Sequence, residues 1–290
     1  MIRGKELEPG VYDPEHVERV LAEIENNFPI YFASFAEQPI EPIFKKAIAE
    51  HEKERAAYRD YLDLEALDEF EHDPNAFKSH TRKHCPIIRR CLMSQDEVMN
   101  AYRTSFAYVT GRELLSPVRK IAEFGQRYTA QFKDQAHEGA NVFSDLELDI
   151  LSQQEYGCGG VIGYGIQSTL LYGLYPRVFA HRSQNAVWSL YFLSGRKDFD
   201  LEDGSEFMIV HPDQGTGEQN YFYPADLFGF YSLKLYLLLN SACADRGITL
   251  YEPYRYNYLA AFDDHVGSVH RQDINTFRWN SEHVESQLWF

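Results

Sequence analysis

Five cations, Lys78, Arg82, Lys83, Arg89 and Arg90, fall within 13 residues that contain no acid. Guanidinium and ammonium groups grip phosphate and carboxylate through charge-assisted hydrogen bonds. The segment therefore reads as an anion site for a nucleic-acid backbone, a nucleotide or an acidic partner. The bland alternative is pairing inside the molecule. Seven acids, Asp60, Asp63, Glu65, Asp68, Glu69, Glu71 and Asp73, lie just upstream and are numerous enough to neutralise the patch. The same stretch holds four residues of metal-ligand type, His80, His84, Cys85 and Cys91. On a helix His80 and His84 share a face. The spacing matches no standard zinc finger, however, and Pro86 interrupts any helix after Cys85, so no metal is expected.

A second concentration runs from Tyr156 to Leu171, where Gly157, Gly159, Gly160, Gly163 and Gly165 precede an apolar, helix-like stretch. Glycine permits tight turns and close approach of a ligand to the backbone. Amides at a helix start attract anions. No Gly-Lys-Ser/Thr follows, which argues against a P-loop, and the spacing does not fit a dinucleotide fingerprint. Gly163-Tyr-Gly165-Ile-Gln-Ser168-Thr-Leu-Leu171 resembles the hairpin and second helix of a helix-hairpin-helix motif. The following stretch, through Pro176, Phe179, His181 and Trp188, is similar in layout to the segment after that hairpin in helix-hairpin-helix DNA glycosylases. The resemblance covers residues 156–190 and implies contact between the backbone at Gly163 and Gly165 and a DNA phosphate. It does not carry the glycosylase chemistry over. His181, Arg182 and Ser183 stand where that family has its catalytic aspartate, and the hairpin contains no lysine. A close helix–helix contact is the alternative use of these glycines.

His181-Arg182-Ser183-Gln184-Asn185 is the third cluster. Histidine acts as acid or base near neutral pH, and arginine can hold an anionic substrate, so His181 and Arg182 form the candidate catalytic pair. Ser183 is more simply a helix cap. In Gln219-Asn-Tyr221-Phe-Tyr223-Pro224 the tyrosines can stack a base or anchor a hairpin on the core. Sequence spacing supports no nucleophilic triad, because such sets meet only in space.

These residues need elements to position them. Asp13-Pro14, Ser94 to Glu97, Ser116-Pro117, Ser144 to Glu147, Ser183 and Pro224 each read as a helix start. Glu206 to His211 suits a strand, Pro212 to Gly217 a turn, and Asn220 to Tyr223 a returning strand. The expected fold is mostly α, a multi-helix globular protein with one small β-hairpin near 206–223. A charged helical subdomain over 1–75 is expected to pack on a larger domain over 76–290.

Composition bounds the partners. With 28 basic and 44 acidic side chains the net charge is -16, which repels polyanions at long range and leaves only a local patch to bind them. Four cysteines without framework spacing read as reduced thiols, and the polar N-terminus does not suit a signal peptide, so a cytoplasmic location is expected. The apolar run Leu227 to Ala244, interrupted by Lys234 and Asn240, reads as a core helix rather than a membrane span. Three functional readings stay open, none needing a cofactor. In the preferred one the protein is nucleic-acid-associated. Gly163, Gly165, Arg82, Lys83, Arg89 and Arg90 then contact phosphate, while Tyr221, Tyr223 and His181 lie near a base. The others are a non-catalytic module with a protein partner, and a small-molecule enzyme with an anionic substrate held by Arg182.

Overall fold

The structure, a computed structural model, describes residues 9–96, 99–201, 205–211, 216–220 and 223–277. Several helices begin where the sequence supplies a capping side chain. Asp13 accepts from the Glu15 amide (3.0 Å), and Pro14 opens α1 (Pro14–Phe35). Val17, Val20, Ile24, Phe28, Phe32 and Phe35 recur along α1 at helical spacing and are buried. After α2 (Ile40–Tyr61), Asp63 and Asp73 cap α3 (Leu64–Glu69) and α4 (Pro74–His84), accepting from the amides of Ala66 and Ala76. Then follow α5 (Pro86–Met93) and α6 (Met99–Tyr108). Ser94 Oγ accepts from the Asp96 amide ahead of α6; Glu97, the other end of the expected capping box, lies outside the described residues.

The helix expected to open at Ser116-Pro117 begins earlier. In α7 (Gly111–Gln131), Thr110 and Glu113 form a reciprocal capping box, and Pro117 lies inside the helix. Ser144 to Glu147 starts no α-helix either. The chain after α8 (Asp134–Glu138) runs through 3-10 turns at Phe143–Leu146 and Asp149–Ser152, separated by Glu147 in the left-handed region. Asp145 satisfies the amides of Asn141 and Val142 there, a local alternative to helix capping. Beyond it lie α9 (Tyr164–Leu174), α10 (Gln184–Leu193), α11 (Ala225–Ala244) and α12 (Arg255–Val269).

The fold is mostly α. Strands β1 (Met208–His211) and β2 (Thr216–Gln219) pair antiparallel, with Met208 opposite Gln219 and His211 opposite Thr216. The returning strand is thus Thr216–Gln219 and not Asn220 to Tyr223. The chain at Asn220 turns towards α11 instead, and Tyr223 is fully buried. By length and apolarity α11 suffices to cross a membrane, yet most of it is buried inside the molecule, where it packs against α1, α12 and the Phe143–Leu146 turn. Residues on both sides of position 75 enter one apolar cluster that runs from Val11 to Ile274. In it α2 packs on α9 and α12, α1 on α10 and α11, and α4 on α7.

Candidate functional site

Four of the seven acids upstream of the basic segment are engaged elsewhere. Asp63 and Asp73 cap helices, and Asp68 and Glu71 pair with Arg119 on α7 at 2.8 and 2.9 Å. Arg82 and Lys83, on the last turn of α4, and Arg89 on α5 are exposed and make no ion pair among the described residues. For Arg82 and Lys83 the placement at the end of α4 suits the helix dipole. Arg90 differs, because it pairs with Glu54 on α2 and its Nη2 lies 3.4 Å from the Tyr58 hydroxyl. Lys78 turns inward, donating to the carbonyls of Ala107 (2.8 Å) and Val109 (2.6 Å) at the end of α6. His80 and His84 stack at 4.5 Å, as their spacing implies. Cys85 points the other way into the core, where burial pushes its thiol up to about 12. Among the described residues no three His, Cys, Asp or Glu side chains converge on a point where a metal would sit.

The glycine segment folds as a tight turn closed by a bridge between Cys158 and Ile162. A 3-10 turn, Gln154–Tyr156, precedes it. Gly163 caps α9 with no side chain covering the first-turn amides; it is exposed and has open space where a Cβ would stand. Gly165 is half-buried against Arg182. Tyr164 lies near Tyr12, whose phenol is pushed up to about 12 by burial and then by Asp226, Tyr164 and Asp149.

The pairing of His181 with Arg182 as a substrate site is overturned by burial. Arg182 is only 6% exposed. Its amide donates to Ser168 Oγ (2.7 Å) and its Nη2 to the Asn220 carbonyl (2.6 Å), so it fastens the segment after β2 to α9. Tyr223 is likewise a core residue, donating to Glu206 Oε1 at 2.6 Å, while Glu206 also pairs with His16. Neither Arg182 nor Tyr223 can reach a ligand, and Tyr221 lies outside the described residues.

His181 belongs to a different group. Its ring stacks on Tyr172 (centroids 4.6 Å apart, planes at 6°), and His51 of α2 meets Tyr172 edge-on at 4.8 Å. Asn257 of α12 donates to the Tyr172 hydroxyl at 2.6 Å. The Tyr58 ring packs so closely on Gly173 that a Cβ there would meet it at 2.6 Å. Tyr58 in turn touches Arg90, so the basic segment reaches the histidines through α2 and α9. Burial holds His181 at about 4, with the charge of Arg90 and then His51 acting in the same direction. Burial likewise holds His51 at about 4. Both imidazoles are therefore neutral at physiological pH. Sequence reasoning reached His181 but not His51, Tyr58, Tyr172 or Asn257. They stand far apart along the chain and carry no local signal.

A surface hollow of about 550 Å³ between Arg271, Gln272, Asn275 and Thr276 is lined by exposed polar side chains and lies apart from these groups. No known protein family, curated protein or solved structure matches the chain.

Proposed function

We propose that the protein binds a phosphate-bearing polyanion, a single-stranded nucleic acid, along the surface of α4 and α5. The observation that carries this reading is that Arg82, Lys83 and Arg89 are exposed and free of ion pairs among the described residues, although the chain bears a net charge of -16. Had the upstream acids neutralised them, the patch would be an ordinary solvated face. Four of those seven acids cap helices or hold Arg119 instead. Phosphate contact here comes from side-chain charge.

Retention on a single-stranded oligonucleotide should fall with salt. Three phosphate contacts correspond to a slope of about -2 in log affinity against log salt. Arg82→Glu/Lys83→Glu/Arg89→Glu should abolish retention. Arg127→Glu/Lys133→Glu, which reverses two exposed cations on α7 and beside α8, should leave it intact. If the wild-type protein passes through the column at low salt, or if both variants bind alike, the reading fails.

A further inference from the structure

Beside the exposed face of α4 stands an exposed ring. Lys78 and Arg82 are four residues apart on α4 and share a flank of that helix, which contains no acid. Asn75 and Ser79, exposed next to Arg82, add hydrogen-bond donors to the same side. Lys78 turns its ammonium onto the carbonyls of Ala107 (2.8 Å) and Val109 (2.6 Å) and lies 5.6 Å over the Phe106 ring. Gly111 stands against the Pro74 carbonyl, so close that a Cβ would overlap it. The chain over 107–111 is thereby held along α4 at two levels. Tyr108 lies between the two clamped carbonyls. Phe106 and Val109 are buried, whereas Tyr108 is 84% exposed, the most exposed large hydrophobic residue among those described. Its ring makes no hydrogen bond or ring contact among the described residues. Arg82 is one helical turn, about 5–6 Å, from Lys78. Tyr108 and Arg82 therefore flank Lys78, and their free side chains can reach one nucleotide.

We infer that Tyr108 is the platform on which the single-stranded ligand stacks an unpaired base, while Arg82 holds the adjoining phosphate. The inference rests on the polyanion reading and adds a contact that charge alone does not supply. In a duplex the base faces are covered by their neighbours; in a single strand a base can swing out onto an aromatic ring. Every base has a π-face, so the contact tolerates any sequence. Stacking also adds affinity without adding charge. That matters on a chain of net charge -16, which attracts a polyanion weakly at long range. The charge of Lys78 is spent inside the molecule, on a turn whose ring has no partner there. A turn fixed before binding loses less freedom on binding. Tyr108 thus takes the role that the sequence pattern offered to Tyr223, which is buried.

The test uses the full chain at low salt and two fluorescein-labelled DNA single strands of equal length, one with its bases and one abasic throughout. Their backbone charge is the same. Anisotropy titration should show the strand with bases bound about 10-fold more tightly. Tyr108→Ala should bind both strands at the abasic level. Its slope of log affinity against log salt should stay that of the wild type, because no phosphate contact is lost. Tyr108→Phe should keep the wild-type preference, because stacking needs the ring and not the hydroxyl. An unchanged thermal midpoint in Tyr108→Ala separates lost stacking from lost folding. Equal affinity of the wild type for the two strands, or an undiminished preference in Tyr108→Ala, overturns the inference and leaves the polyanion reading standing. A ring that serves a protein partner instead gives that same result. Binding of neither strand removes the polyanion reading and the inference with it.

Discussion

At the scale of single residues, like residue types serve unlike ends because their surroundings differ. Gly163 and Gly111 both stand at the start of a long helix. At Gly163 a Cβ would meet nothing; at Gly111 it would overlap the carbonyl of Pro74, the first residue of α4. Backbone cannot step aside as a flexible side chain can, so Gly111→Ala must push α4 and α7 apart. It should lower the free energy of unfolding by about 2–3 kcal/mol, whereas Gly163→Ala should cost under about 1 kcal/mol, the difference between these residues at a helix cap. Urea unfolding of the two variants checks this. Equal effects would mean that α4 and α7 do not meet as closely as described. The arginines divide in the same way: Arg82 and Arg89 face water, Arg182 is spent on Ser168 and Asn220, and Arg255 is fully buried between Asp134 and Glu138.

At the scale of elements, α7 shows how much a cap decides. Thr110 Oγ1 accepts from the Glu113 amide (3.2 Å), and Glu113 accepts from the Thr110 amide (2.7 Å), satisfying two amides that the helix cannot. These bonds also hold the Glu113 carboxyl below its ordinary range. Thr110→Ala should therefore destabilise the protein by about 1 kcal/mol in thermal or urea unfolding. No measurable loss would show that packing of α7 on α4 alone sets its start. The starts of α1, α10 and α11 were legible in the sequence because a helix start is a local event: Asp13 and Ser183 accept from amides two and three positions away, and Pro224 stands directly before Ala225. Ser116-Pro117 offered the same local pattern and misled, because packing against α4 and α9 carries the helix through Pro117. The returning strand was misread for a related reason. Asn220 and Tyr223 look strand-forming, but their side chains bond to Glu206 and so turn the chain inward. The histidine group was illegible apart from His181. His51, Tyr172 and Asn257 come from three helices, and no spacing in one chain reveals that these pack together.

At the scale of the whole molecule, burial of ionisable rings ties stability to pH. His137 donates or accepts at the Tyr256 hydroxyl (2.8 Å) in the core, and burial, then Arg255, holds it at about 3. His51 and His181 are held at about 4. All three lie below the ordinary histidine value, so the folded state favours the neutral ring. At pH above 6.5 both folded and unfolded chains carry neutral rings, and this stabilisation is complete. As pH falls through 6.5 towards 4 the unfolded chain takes up protons that the folded chain refuses, and stability is lost. Each ring contributes a slope of about 1.4 kcal/mol per pH unit, so three give up to about 4. Asp263 opposes them. It is buried against Ser189, and burial raises its carboxyl well above the ordinary range. A folded state that holds a proton on Asp263 gains stability as pH falls, offsetting up to about one ring. The urea midpoint should therefore drop steadily from pH 6.5 to pH 4.5, and Asp263→Asn, which removes the opposing group, should steepen the drop. A midpoint that stays level across this interval would mean that water reaches the three imidazoles in the folded chain.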